Sequence, residues 1–516
     1  MKYTQPAIAL ALLASSALAA ECKPKVDSES LQADIKTENL WSHLEALNNI
    51  AFEKGNGNRA FGLPGFAASV DYIWSQISGF NGTKAWKQDF SAWFAEVQTI
   101  SLKVKDEDLY VFGIAYSPST SQEGITAQVV LGPAGEAGCS EESYNGLDVE
   151  GKIVLTQRFR CPTGGTLAGR VKPAAARGAA AVIIYHDLTT KPTAGSFGEV
   201  NLEAYAPTGF IHKADGEAII ARIDAGETVE AHFQQTQLVE QRVTQNVFVE
   251  TADGDPSNVI MLGAHLDSVQ AGPGINDDGS GTSLVLEIFK ALTKYRFKNK
   301  VRFAWWGAEE YGLLGSKHYC QNLETKEVNN ILAYLNYDMV SRGYFGVSDN
   351  DGRAYGSVAP RGSEVIQQIY LDWFKAQGLE TTPAILTNGS DYASFWGILN
   401  KPFGFLNTGT GVAQDDCYHQ ACDTIDNPDA ETITYNAKVS PISISYVFIS
   451  DLTGLFQAAA HMVSILSMKG HELIPKTIVN ETSLAMIKRS DFFADEINIE
   501  ELEALGERHL GCGHDL

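Results

Sequence analysis

His265 and Asp267 stand two residues apart at the end of the apolar run SNVIMLGAH (257–265). In extended backbone such residues point the same way, so the carboxylate can bond one ring nitrogen and leave the other for a metal ion. The plainer reading is a His and an Asp in a polar loop. Asp277 and Asp278 are adjacent in GPGINDDGSGTS, just ahead of a helical pattern. Glycines before a helix suggest a phosphate loop, but no lysine lies between His265 and Lys290, and paired carboxylates repel phosphate. Acids are also favoured at the positive start of a helix, and capping by one of the pair leaves the other for a cation. Glu309 and Glu310 follow an apolar run in VRFAWWGAEEYGLLGS. Adjacent residues point apart, so one can ligate a metal while the other holds a water; an exposed loop pair is the alternative. Asp338 ends LAYLNYD, where an acid behind a buried run is costly unless paired or cation-bound. His419 lies in DDCYHQACD between Cys417 and Cys422, and a disulfide there would fix the Tyr418–His419 backbone.

Together His265, Asp277, Glu310, Asp338 and His419 offer two imidazoles and three carboxylates, with Glu309 to spare. That set suits two borderline divalent ions such as Zn²⁺, each with N and O ligands at ~2.0–2.2 Å and one carboxylate bridging. Ions ~3.5–4 Å apart acidify a shared water and bind a developing oxyanion, which is hydrolytic chemistry. The sequence does not say which terminal ligands share an ion.

These residues need a scaffold. The runs 257–265, 300–310, 331–339 and 401–407 have strand length and lack alternation, as parallel strands covered on both faces do. TSLVLEIFKALTKY (282–295) has helical spacing between the first two, giving a βαβ unit whose site lies beyond the carboxyl ends of the strands. The expected fold is α/β, with a mixed, mostly parallel central sheet flanked by helices. Upstream, Leu40, Leu44 and Leu47 mark a helix, and the alternating residues 84–104 read as strands. Residues 111–245 change character. DVEGKIVLTQRFRCP reads as a short strand, and PAAARGAAAVIIYHD as a small-residue helix, a turn at Gly178 and a buried strand. This stretch lacks acid/base clusters and reads as a separate β-rich insertion. Val447–Leu466 is the longest later apolar stretch, but Asp451 and His461 make it a buried helix rather than a membrane span.

AHLDSV, GPGINDDGSG, WWGAEEYGLLGS, LNYDM and CYHQACD, in that order, resemble the motifs of the co-catalytic zinc aminopeptidases, which include leucine aminopeptidases and vacuolar aminopeptidase Y. The resemblance covers 36–110 and 246–480 as a discontinuous peptidase domain, and 111–245 resembles the protease-associated domain inserted in many members. It implies that His265, Asp338, Glu310 and His419 are terminal zinc ligands and that Asp277 bridges two Zn²⁺ per chain. It implies further that Glu309 is general base and then acid, that Asp267 orients His265, and that Tyr418 helps bind the oxyanion. A cis peptide between Asp277 and Asp278 is also implied. TNGSDYASF (387–395) is similar to a family segment lining the substrate cleft, with Tyr392 where His is frequent; a helix N-cap by Ser390 or Asp391 is the favoured reading. The implied activity is removal of N-terminal residues from peptides with a free amine, with leucine-type or broad specificity. A carboxypeptidase would need arginines gathered at the cleft; Arg342 and Arg353 lie near the motifs, and no cluster is seen. A receptor that kept the fold would have lost ligands, and none is missing.

Lys2, the apolar Ile8–Leu18 run and Ala17-Leu18-Ala19 form a signal-peptide pattern over 1–19. Secretion is therefore expected, or delivery to a vacuolar or lysosomal lumen. A net charge of −24 argues against nucleic acid or an anionic membrane surface as partner. Seven cysteines leave at least one unpaired within the chain. The favoured disulfides are Cys417–Cys422 and then Cys139–Cys161, with Cys22, Cys320 and Cys512 unassigned. Sequons stand at Asn81, Asn388 and Asn480. Residues 481–516 read as a C-terminal tail, and the chain is expected to act as a monomer.

Overall fold

The computed structural model describes residues 23–187, 191–192, 195–409, 414–429, 432 and 455–488. The expected signal segment, Cys22, Asp451, Cys512 and most of the 481–516 tail lie outside the described residues.

The unbroken apolar runs are central strands. Ile331–Tyr337 and Phe403–Asn407 are buried at every position, and Asn299–Trp306 at all but one. With Asp255–His265 they form the sheet order Phe403–Asn407, Ile331–Tyr337, Asp255–His265, Asn299–Trp306, all parallel neighbours. Short Gly346–Ser348 and Thr382–Ala384 strands extend one side, and the antiparallel Glu230–Thr251 strand flanks the other. The mixed, mostly parallel sheet is thus the one expected. Register fixes where the chemistry falls. Trp306 pairs with His265 and Asn336 with Gly263, so Glu309–Glu310 and Asp338 emerge at the same sheet edge as His265.

Helices cover both faces. Leu40, Leu44 and Leu47 of the Thr37–Glu53 helix, and nearly all of Gly281–Leu292, are buried against the sheet. The expected buried helix near residue 460 is Leu455–Leu473, with Ala458, Met462 and Leu466 in the same core.

The alternating 84–104 stretch is one 22-residue strand, Thr83–Val104, which pairs antiparallel with Glu230–Thr251 along its length except for a bulge at Val97/Thr99. This ribbon carries the insertion. Parallel strands Ile125–Leu131, Ile153–Gln157, Ala181–Tyr185 and Thr208–Ile211 join the end of Glu230–Thr251 through Ile125–Gln128. The Ala168–Ala176 helix, Gly178 at φ 79° and the Ala181–Tyr185 strand match the small-residue pattern. A second helix, Lys213–Asp224, packs beside them. Cys139 and Cys161 are bonded there.

One acid within the helical core belongs to no site. Glu287, buried on Gly281–Leu292, meets His43 Nε2 at 2.9 Å and accepts from Asn39 Nδ2 at 2.9 Å, with Lys290 alongside. Burial alone would raise its carboxyl; the bonds from His43 and Asn39 prevail and hold it below its usual value. A depressed acid adds stability that is complete above the unfolded value, about 4.3, and is lost as pH falls through the folded one. Glu287→Gln should therefore flatten the acid limb of unfolding free energy against pH, measured by urea titration between about pH 3 and 7.

Candidate metal centre

Strand ends supply three of the groups and loops the rest. His265 closes Asp255–His265, Glu309–Glu310 lie just beyond Asn299–Trp306, and Asp338 directly follows Ile331–Tyr337. Asp277 stands in the turn before Gly281–Leu292, joined to Asp278 by a cis peptide. His419 arrives on the loop closed by the Cys417–Cys422 disulfide.

These residues converge. His265 Nε2 lies 3.0 Å from Asp277 Oδ1, 3.5 Å from Asp338 Oδ1 and 3.8 Å from Glu309 Oε2. His419 Nε2 lies 3.2 Å from Asp277 Oδ2 and 3.2 Å from Glu310 Oε2. Asp277 therefore divides its two oxygens between two imidazoles, one beside Asp338 and the other beside Glu310. Glu310 and His419 touch without hydrogen-bond geometry at either Glu310 oxygen, as two donors aimed at a common third partner would. His265, Asp277 and Glu310 also converge within ligand reach, as do His265, Asp278 and Asp338. Asp278 is already occupied: Oδ1 accepts from Gly281 N (2.8 Å) and Met339 N (3.2 Å), and Oδ2 from His265 N (3.1 Å). Asp277 is the better candidate ligand, and Asp278 ties three chain segments together.

Asp267 differs from its expected geometry. His265 Nδ1 bonds the Asp267 backbone carbonyl at 3.0 Å, while the carboxylate lies 3.8 Å away. That carboxylate accepts instead from Glu309 N (3.0 Å) and Glu310 N (3.2 Å), so it fixes the two glutamates. Two successive backbone amides on the turn after Trp306 outcompete the ring for it. The expected N-cap at 387–395 is also absent. Neither Ser390 nor Asp391 caps the Tyr392–Gly397 helix, and Ser390 Oγ donates to Asp338 Oδ2 at 2.6 Å. Tyr392 reaches back to accept from Thr387 N. Tyr418 stacks on the His419 ring, centroids 3.8 Å apart.

So many buried acids cannot all keep a charge unaided. Burial, then the charge of Asp338, pushes Asp278 well up. Burial and the neighbouring acids Asp338 and Glu310 push Glu309 well up. Burial would lower His265, but Glu309, Asp338 and Asp277 hold it well above its usual value. The surplus of carboxylates over imidazoles is what one or more bound cations would neutralise, and mixed imidazole N and carboxylate O donors fit zinc. Left-handed backbone at the non-glycine residues Ala308, Met339 and His419 adds strain at three turns that carry candidate ligands, of order 1 kcal/mol or more each.

Several supporting residues had no clear sequence signal. Arg59 is fully buried and donates to the Leu266, Pro273 (2.8 Å) and Gly274 (2.6 Å) carbonyls, framing the loop before Asp277. Asp415 and Asp423, which flank His419 in the acid-rich DDCYHQACD stretch, both bond the Asn276–Asp277 segment. Among the sequons, Asn81 is exposed, Asn388 half-buried, and Asn480 caps the Glu481–Ile487 helix through Ser483 N at 2.8 Å. Cys320 is unpaired and buried.

The chain and its fold have known counterparts. Residues 246–440 match the Peptidase family M28 model and 125–219 the PA domain model. Leucine aminopeptidase 2 of Arthroderma otae is 35% identical over 493 residues, 91% of this chain and 92% of its own. The chain belongs to peptidase family M28. A probable leucine aminopeptidase 2 of Aspergillus oryzae is also 35% identical, over 83% of this chain and 88% of its own. In fold, this M28 chain is similar to an aminopeptidase from Aneurinibacillus sp. strain AM-1, with TM-score 0.68 and 24% identity over 88% of this chain and 98% of that one. It is likewise similar to a zinc aminopeptidase from Bacillus subtilis, with TM-score 0.62 and 23% identity over 87% and 98%. Both the inserted PA domain and the peptidase sheet therefore belong to a recurring architecture.

Arg59→Met should cost about 3 kcal/mol of stability, since it strands three buried carbonyls, read as a lower urea midpoint.

Proposed function

We propose that the chain is a secreted, zinc-dependent aminopeptidase that removes N-terminal residues from peptides with a free amine, with leucine-type or broad preference. The observation that carries this reading is Asp277, one oxygen 3.0 Å from the His265 imidazole and the other 3.2 Å from that of His419. Such a carboxylate is a bridge in waiting. His265 and Asp338 would hold one Zn²⁺, His419 and Glu310 a second, and Asp277 both. When bound, such a pair acidifies a water and steadies negative charge growing on the scissile carbonyl.

The chain's own groups do the rest. Glu309 stands 3.8 Å from His265, outside the Asp277 bridge, with its backbone amide fixed by Asp267. It takes a proton from the attacking water and returns it to the leaving amine. Asp267 thus positions Glu309 and Glu310 as well as the His265 ring. Tyr418, held against His419, donates to the oxyanion. The surplus acids attract the peptide's cationic α-amine.

The carboxypeptidase reading finds no support at the cleft. Arg342 is engaged by the Asn427 carbonyl at 2.9 Å and by Asp415 at 3.7 Å, and the Arg353 side chain is 83% exposed beside Asp351. The binding-protein reading is disfavoured by a complete set of candidate ligands. Two disulfides fit an oxidising compartment, whether extracellular or a vacuolar or lysosomal lumen. Among the described residues no helix is long and apolar enough to cross a membrane. Peptidase domain 36–110 plus 246–480, insertion 111–245, tail 481–516, glycans at Asn81, Asn388 and Asn480 and a monomeric state complete the proposal.

Glu309→Gln should keep the zinc content of the parent, by elemental analysis, while kcat falls by roughly 10²–10⁴. Full turnover in that variant removes Glu309 from the role. Chelation should abolish cleavage of leucyl-amide substrates and added zinc restore it. Acetylating the peptide amine should block cleavage, whereas amidating the far carboxyl should not; the reverse pattern would establish the carboxypeptidase.

A further inference from the structure

Asp423 lies four residues beyond His419 and is fully buried, with no place in the chemistry above. Its backbone carbonyl accepts from Ile275 N at 3.0 Å, its Oδ1 from Asn276 N at 2.8 Å, and its Oδ2 from Asp277 N at 3.0 Å. Three successive amides of the Asp277 turn thus end on one residue. Asn427 Nδ2 donates to Asp423 Oδ1 at 2.8 Å and to both oxygens of Asp415, and Asp415 accepts in turn from Asn276 Nδ2 at 2.8 Å. On the other side of the turn, a Cβ added to Gly272 would come within 2.1 Å of the Gln420 carbonyl oxygen. The Asp277 turn and the His419 loop therefore meet along an interlocked seam.

We infer that Asp423 is a positioning residue that locks the His419 loop to the Asp277 turn and so sets the metal affinity of the Glu310–His419 half of the centre. The asymmetry follows from connectivity. His265 and Asp338 are held by strands Asp255–His265 and Ile331–Tyr337, which pair with each other directly. Of the groups in their half of the centre, only Asp277 belongs to the seam. The other half needs His419 and the second Asp277 oxygen, which belong to the two loops that Asp423 joins. Groups that hold ligands from behind typically carry a ten- to hundredfold effect on metal affinity. An asparagine in this place keeps the shape but turns a donor toward one of the amides, which leaves Asp277 N or Asn276 N without an acceptor.

The inference rests on the two-zinc reading, so the test measures both. The full-length protein is stripped with chelator, and zinc is titrated back against a chromophoric competitor. Wild type should bind two equivalents. Asp423→Asn should bind the first within about threefold of wild type and the second at least ~10-fold more weakly. A cobalt titration should show the same order in its visible bands. Wild-type protein that takes up a single equivalent overturns the two-zinc reading and this inference with it. Two equivalents in wild type, with both unchanged or both equally weakened in Asp423→Asn, overturn the inference alone. Should Asp423→Asn fail to fold by near-ultraviolet circular dichroism, Asn427→Ala carries the test. Removing that 2.8 Å support should weaken the second equivalent, by less, and wild-type binding of both would overturn the proposal.

Discussion

Buried negative charge is the constraint on which this molecule depends. His265, Asp267, Asp277, Asp278, Glu309 and Asp338 are each at most 4% exposed and sit at one edge of the sheet. Carboxylates withdrawn from water are destabilising unless hydrogen bonds, protons or cations compensate them. The chain divides that burden. Asp267, Asp278 and Asp423 are occupied by backbone amides, whereas Asp277, Glu310 and Asp338 keep oxygens aimed toward the imidazoles. The first group makes rigid turns; the second is the set suited to a cation.

The parallel sheet makes such a concentration possible. Its strands end together, so polar residues that lie far apart in sequence leave the apolar core at one level. Because the strands are covered on both faces, their side chains cannot swing to relieve crowding. The left-handed turns at Ala308, Met339 and His419 are held against that backing. Rigid backing matters for any site in which donors must stay in place without their ion.

The insertion is joined through a ribbon rather than a flexible linker. Gln270, on the loop between Asp267 and Asp277, donates to the Ala95 carbonyl at 2.7 Å on that ribbon and to the Tyr311 hydroxyl just after Glu310. Phe61, Phe94 and Tyr311 pack edge-on or stacked around the same junction. The ribbon that carries the PA domain is thereby tied to the Gln270 loop and to the turn after Glu310, although it contributes none of the candidate ligands.

The sequence by itself determined the candidate ligand types, the strand runs and the family. Short apolar runs without alternation suit parallel strands covered on both faces, and acids placed at the carboxyl ends of such strands lie at one end of the sheet. It also marked the Cys417–Cys422 loop, because two cysteines five apart around a histidine are conspicuous. What it left open was the hydrogen-bond partnership of the polar residues. Whether Asp267 bonds a ring or two amides, and whether Ser390 caps a helix or bonds Asp338, depends on which donor arrives first within about 3 Å. Arg59 and Glu287 gave no signal, since their partners lie hundreds of residues away or belong to the backbone, which every residue shares. The division of Asp277 between His265 and His419 was likewise decided only when two remote loops were folded against each other.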